Sequence, residues 1–181
     1  PAPCYYVYRL TMGEHVQTGL VAAASVAAYD QERIKKHEFT RPVKEDDRVR
    51  QIDALDAQTG PVFLVYRATS RIDAVLAAVT QGEAAVDIRA TGEVRHQIWV
   101  VRDADLIRLL STAFEALQAL YVADGHHRSA AASRVAAARQ AANPAPTGEE
   151  AYNYFLAVIF PHDQMQILDY NRLVTDLHGL D

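Results

Sequence analysis

The sequence predicts an α/β fold with a mixed sheet, and three observations lead to that class. Short segments rich in aromatic and β-branched residues alternate along the chain with longer segments of good helix formers. Two strand-like segments near the end of the chain are separated by only four residues, which favours an antiparallel hairpin within the sheet. Half of the 181 residues are hydrophobic, enough to bury the core of one domain, or of most of one, over residues 1–181.

Seven short segments are predicted to be strands because aromatic and β-branched residues fill them. The third reads Pro-Val-Phe-Leu-Val-Tyr-Arg and the sixth Tyr-Phe-Leu-Ala-Val-Ile-Phe. The sixth and seventh flank Pro161-His162-Asp163-Gln164, which is the predicted hairpin turn. In chain order the predicted strands cover 5–10, 19–26, 61–67, 96–101, 120–123, 154–160 and 165–168.

Four longer segments are predicted to be helices, at 44–57, 71–79, 103–117 and 127–142. The last is rich in alanine, the best helix former, and contains no glycine or proline before Pro144. Helices and strands therefore interleave along the chain, as expected for an α/β domain.

Composition excludes several classes of protein. A formal net charge of −5 argues against broad nucleic-acid binding, which depends on neutralising phosphates, and fits a small anionic ligand better. The single cysteine, Cys4, rules out an internal disulfide framework. Neither a signal peptide nor a long apolar run is visible, so we expect a cytoplasmic protein without a membrane partner. The chain lacks an initiating Met, and we expect both flanks of a longer chain to be missing; a processed or tagged chain is the alternative.

The most informative segment is the turn from Asp124 to Arg128, which joins a short apolar strand to the alanine-rich helix. Gly125 permits backbone angles closed to other residues, and the first N–H groups of a helix lack internal partners and suit a phosphate. Arg128 adds a bidentate fork for phosphate oxygens. His126 and His127 can donate, accept or move a proton near neutral pH, while Asp124 can orient an imidazole or hold a metal.

Two other interpretations of this turn remain. An Asp-Gly before a helix is also an ordinary N-cap turn, and adjacent histidines often lie at a surface without a function. A zinc site is disfavoured because the histidines are adjacent, their spacing is not the HExxH type, and Cys4 is far away in the sequence.

A second group of polar side chains fills residues 34–48, where both signs of charge surround Pro42. The proline forces a non-helical conformation on the residue before it, so a loop precedes the helix predicted from Lys44. Such a loop could contact a phosphorylated ligand through Lys36, Lys44 or Arg48, with Glu38 or His37 as proton acceptor. A solvated loop is the equally open alternative.

Other polar and aromatic residues carry weaker signals. We expect His96, Trp99 and His162 to be packing or hairpin residues, and the tyrosines at positions 5, 6 and 8 to lie on a half-buried strand.

Six stretches resemble the middle of a prokaryotic family filed as a domain of unknown function, which includes the free L-serine kinases. The paired signatures His37-Glu38-x-Thr40 and Asp124-Gly125-His126-His127-Arg128 carry most of the resemblance. The six stretches are QTGLVAAASV, IKKHEFTRPVKEDDR, TGPVFLVYR, HQIWVV, LYVADGHHRSAAASR and NYFLAVIFPHDQMQILDYNRLV.

The resemblance implies a ParB/sulfiredoxin-like fold in which the turn at 124–128 cradles nucleotide phosphates at a helix N-terminus. It implies transfer of a phosphoryl group from ADP or ATP to the hydroxyl of free L-serine, with magnesium. The kinases' favoured base is a glutamate near the family's N-terminus, to which no residue here can be matched. The candidates are therefore His37, Glu38 and His127 for catalysis; Asp124, Gly125, His126, His127, Arg128, Lys44 and Arg48 for nucleotide binding; and Asp124 for the metal.

Two other functions are compatible with the same residues. A ParB-like regulator would bind a nucleotide to control assembly or DNA contact without turning over serine. A phosphotransferase with another acceptor would keep the phosphate turn but not the serine pocket. The sequence leaves oligomeric state open.

Overall fold

The computed structural model describes residues 3–169, 171–176 and 178–179, which form eight strands and five α-helices. The predicted α/β class and mixed sheet are confirmed. The strands are β1 (Tyr5–Met12), β2 (His15–Ser25), β3 (Ile34–Lys35), β4 (Val62–Tyr66), β5 (Val86–Arg89), β6 (Arg95–Val101), β7 (Leu120–Asp124) and β8 (Tyr154–Pro161). The helices are α1 (Val26–Asp30), α2 (Pro42–Leu55), α3 (Ser70–Val79), α4 (Ala104–Glu115) and α5 (His126–Ala142).

All eight strands belong to one sheet with the order β3-β7-β4-β8-β2-β1-β6-β5. The pairs β3/β7 and β4/β8 are parallel and the other neighbours are antiparallel. Strand β7 therefore ends beside the beginning of β4, which in turn runs parallel to β8. This topology brings the end of one strand and the beginnings of two others to the same edge of the sheet.

One face of the sheet carries the core. Alternate residues such as Leu64, Phe155 and Ile159 are almost fully buried, and they cluster with helix residues that include Leu110 and Ala132. The opposite face is more open: Tyr6, Tyr121 and Ile88 are 40, 47 and 55% exposed. The sheet is thus covered mainly on one side, as is common in sheets with antiparallel strands.

The predicted hairpin at 154–160 and 165–168 is wrong. Strand β8 lies between β2 and β4, so both of its hydrogen-bonding edges are already occupied. After Pro161 the chain forms a 3₁₀ turn at His162–Gln164, and residues 165–168 have no regular structure.

Helix boundaries follow local chemistry. Helix α2 begins at Pro42, two residues earlier than predicted, because proline suits the first position of a helix. It ends at Leu55, since Asp56 takes the left-handed conformation at φ 47°. Among the described residues, no helix combines the length and hydrophobicity required to cross a membrane.

Candidate functional site

The turn between β7 and α5 forms one wall of the site. Gly125 is the N-cap of α5 and has φ +95°, a conformation that glycine adopts without strain. The first helical hydrogen bonds are donated by Arg128 and Ser129 to the carbonyl of Gly125, at 2.9 and 3.0 Å. The amides of His126 and His127 precede these bonds, so they lie at the electropositive end of a 17-residue helix.

A bulge shapes the strand that leads into this turn. Phe63 is opposite Asp124, whereas the next residue of β4, Leu64, is opposite Val122, so one residue of β7 is left unpaired. Bulges redirect side chains and are frequent next to functional sites. Here the unpaired residue, Ala123, lies two positions before Gly125.

Arg128 folds back over the turn. Its Nη2 donates to Asp124 Oδ2 at 2.8 Å, and its Nη1 donates to the carbonyl of Pro61 at the start of β4. A Cβ added at Gly125 would lie 3.3 Å from Arg128 Cζ, so the guanidinium lies close against the glycine backbone. The side chain predicted to be a phosphate fork therefore has two of its donors already engaged within the protein.

His126 is the buried member of the turn, at 3% exposed. Its Nδ1 lies 3.3 Å from Glu38 Oε2, and the His37 ring packs edge-on against it with ring centroids 4.4 Å apart. Its Nε2 is buried and has no hydrogen-bond partner among the described residues. Burial, and then the neighbouring His37, lower the pKa of His126 and favour the neutral imidazole.

His127 ties the segment 36–41 to the helix. The backbone N–H of Arg41 donates to His127 Nε2 at 3.1 Å, so that nitrogen presents its lone pair. The same segment also contacts α2, because Thr40 Oγ1 donates to the carboxylate of Glu45. The segment 36–41, which contains the motif His37-Glu38-x-Thr40, thus packs against the N-terminus of α5, and we call it the strap.

A cleft of about 730 Å³ lies between this strap, α2 and the turn. It contains eight of the nine predicted site residues; only His37 is set behind it, against His126. Arg48 is paired with Asp47 at 2.7 Å, whereas Lys44 has no ion pair within the part of the chain that the structure describes. The eight are Glu38, Lys44, Arg48, Asp124, Gly125, His126, His127 and Arg128.

Sequence reasoning missed three further lining residues, Val43, Asp47 and Arg50. Helical spacing could have found Asp47, because it lies three residues after Lys44 and so shares its helix face. Four basic and three acidic side chains line the cleft, which suits a ligand that carries charges of both signs.

Asp124 is the candidate metal ligand of the turn. No group of three or more His, Cys, Asp or Glu side chains is suitably clustered within residues 3–169, 171–176 and 178–179. Magnesium commonly takes one or two carboxylates and completes its shell with phosphate and water oxygens. Asp124, 70% exposed in its side chain and lining the cleft, can supply one such oxygen.

The residues with weaker sequence signals, His96, Trp99 and His162, make hydrogen bonds within the protein. Tyr8 Oη and His96 Nδ1 are 2.7 Å apart, Trp99 Nε1 donates to the carbonyl of Gly82 at 2.9 Å, and Ala68 N–H donates to His162 Nδ1 at 3.1 Å. All three positions lie outside the cleft.

Residues 1–181 match the family described as Protein of unknown function (DUF1015). No curated protein and no solved structure matches the chain significantly.

Proposed function

The chain belongs to the DUF1015 family of proteins of unknown function, and we propose that it is a nucleotide-dependent small-molecule kinase that phosphorylates free L-serine. The proposal includes a ParB/sulfiredoxin-like fold in which the turn at 124–128 binds phosphate. ADP or ATP is the phosphoryl donor and magnesium the metal. The resemblance of the two signature segments to those of the free serine kinases motivates the choice of reaction.

The observation that carries the proposal is the position of the α5 N-terminus in the cleft. The amides of His126 and His127 precede the first helical hydrogen bonds, and Gly125 lets the backbone turn there without a side chain. Lys44 contributes a cation from the facing helix α2. Together these groups provide donors and positive charge for phosphate oxygens on two sides of the cleft.

The acceptor would lie on the strap side of the cleft. Free serine needs a cation for its carboxylate and an acid for its ammonium, and the cleft offers a cation in Arg50 and acids in Glu38 and Asp47. In the transfer step the serine oxygen forms a bond to the terminal phosphorus, and the bond from that phosphorus to the bridging oxygen breaks.

The proton released by the serine hydroxyl needs an acceptor. In this chain the candidates are Glu38, whose carboxylate is beside His126, and the imidazoles of His37 and His127. Arg128 and the helix amides would stabilise charge on the leaving phosphate. When bound, magnesium neutralises phosphate oxygens, and Asp124 is its candidate ligand.

Replacing Arg128 with alanine tests the phosphate site. Removal takes away a charge-assisted contact of roughly 1.5–3 kcal/mol and leaves Asp124 without its partner, so nucleotide affinity should fall about ten- to hundredfold. Calorimetry with ADP and with ATP measures the change. Arg108→Ala is the matched control, because Arg108 also pairs with an aspartate one helical turn away, at 2.7 Å, but on α4. Unchanged nucleotide affinity in Arg128→Ala would contradict the assignment.

A further inference from the structure

A second, smaller hollow of about 280 Å³ adjoins the cleft, and Arg48 and Arg128 line both. We call it the side pocket; its other lining residues are Gln51, Ile52, Ala57, Gln58, Thr59 and Gly60. Complete pockets for drug-sized ligands measure about 300–1,000 Å³, so the side pocket suits one ring of a larger ligand whose remainder lies in the cleft.

The side chains of the side pocket are held in place. Arg48 donates to Gln51 Oε1 at 2.8 Å and to Asp47, so both terminal nitrogens of its guanidinium have partners within the protein. Gln58 is bound to the beginning of β8, donating to the carbonyl of Tyr154 at 3.1 Å and accepting from the N–H of Leu156 at 3.2 Å. The pocket is therefore formed before any ligand enters, which lowers the entropic cost of binding.

Its chemistry matches a flat heterocycle. Ile52 and Ala57 provide apolar contact, a fixed guanidinium stacks on aromatic faces, and the Gln51 amide and Thr59 hydroxyl can bond to ring nitrogens or exocyclic groups. A Cβ at Gly60 would lie 3.3 Å from Arg128 Cδ, so the glycine keeps the space beside the arginine free.

The same lining disfavours the amino-acid substrate. The residues around the side pocket include two arginines but no aspartate or glutamate, so the ammonium group of an amino acid would find no counter-charge there. The cleft contains Glu38, Asp47 and Asp124. A zwitterionic acceptor therefore fits the cleft, and a neutral ring fits the side pocket.

We propose that the side pocket binds the base of the nucleotide whose phosphates lie at the α5 N-terminus, so that the donor is a nucleoside phosphate and not pyrophosphate or polyphosphate. This inference rests on the proposed function. Gln51, Ile52, Ala57 and Thr59 are the residues that would distinguish a nucleotide from its phosphates alone.

Calorimetry with ADP and with inorganic pyrophosphate, each in the presence of magnesium, tests the inference. The parent protein should bind ADP about tenfold or more tightly than pyrophosphate. Ala57→Phe fills the side pocket and should reduce ADP affinity to that of pyrophosphate while leaving pyrophosphate affinity unchanged. Ala54→Phe, at an exposed position of α2 outside the pocket, is the matched control and should change neither.

Three outcomes would overturn the inference. Equal affinities for ADP and pyrophosphate in the parent protein would show that the protein does not recognise the base, although it would still bind phosphate. ADP binding that survives Ala57→Phe would place the base elsewhere. Failure of both ligands to bind the parent protein would instead remove the proposed function together with the inference.

Discussion

At the scale of single residues, the conformation of Gly125 decides whether the turn at 124–128 can form. Its φ of +95° is strained for any residue with a side chain, and Arg128 and Val62 lie within 3.4 Å of the position that a Cβ would take. We expect Gly125→Ala to lower the free energy of unfolding by at least about 1–2 kcal/mol and to weaken nucleotide binding. Urea denaturation and calorimetry measure the two effects.

Gly92→Ala is the control for Gly125→Ala, because it introduces the same kind of backbone strain without a close contact. Gly92 has φ +81° but nothing within 4 Å of a Cβ, so its replacement adds the conformational strain alone. The Gly125 variant should be the less stable of the two, and only it should lose nucleotide affinity. Equal effects of the two variants would argue against close contact at the turn.

His126 should make stability depend on pH. Because burial lowers its pKa from 6.5, the unfolded chain binds more protons at this position than the folded chain at pH values between the folded pKa and about 6.5. The free energy of unfolding should therefore fall as the pH falls through that window. In His126→Gln the slope should be smaller, as urea denaturation between about pH 5 and about pH 7 would show. An unchanged slope would contradict the buried neutral imidazole.

Much of the site's residue chemistry could be predicted from the sequence, because the turn at 124–128 is continuous in the chain. Its side-chain partners could not. Arg128 donates to Pro61, His126 lies beside Glu38, and His127 accepts from Arg41, and these contacts join residues more than sixty positions apart. The predictions of nucleotide, magnesium and serine stay predictions.

At the scale of elements, α2 is a cleft wall that lies at the surface of the protein. None of its residues is buried, and it is attached to α5 by ion pairs. Arg134 contacts Glu45 at 3.2 Å and Asp46 at 2.8 Å, while Arg139 pairs with Asp56 and Asp53. Exposed pairs contribute roughly 0–1 kcal/mol each and are screened by salt. The ion pairs therefore make a modest, salt-sensitive contribution to the attachment of the helix that carries Lys44 and Arg48.

We expect Arg134→Ala to loosen α2 without unfolding the protein. Hydrogen exchange should become faster in residues 42–55, and added salt should produce part of the same effect in the parent protein. Arg33→Ala, which breaks a 2.8 Å pair with Glu115 at the end of α4, is the control and should leave exchange in α2 unchanged. Identical exchange in α2 of the parent and Arg134→Ala would show that the ion pairs do not hold the helix.

The elements that sequence reasoning missed are short or depend on distant pairing. Helix α1 has five residues and β3 has two, too few for a periodic pattern, and β5 has four exposed residues paired only with β6. The hairpin prediction failed because local turn chemistry says nothing about which strands have already occupied the edges of β8. Long segments of good helix formers such as α4 and α5 are predicted to within two residues at each end.

At the scale of the whole molecule, the sheet topology assembles the site. The end of β7 and the beginnings of β4 and β8 meet at one edge, and α5 starts there, directly after Gly125. The strap at 36–41 and α2 then close two other sides of the cleft. Two separate parts of the chain, residues 38–50 and 124–128, therefore line one cleft.

Incubation of the protein with magnesium, L-serine and either ADP or ATP, followed by phosphorus NMR, tests the kinase assignment most directly. We predict a signal of O-phosphoserine that grows as the nucleotide is consumed and that is lost or strongly reduced in Arg128→Ala. Nucleotide binding that depends on Arg128 but yields no phosphoserine would contradict the serine kinase assignment and favour a ParB-like regulator or a kinase with another acceptor.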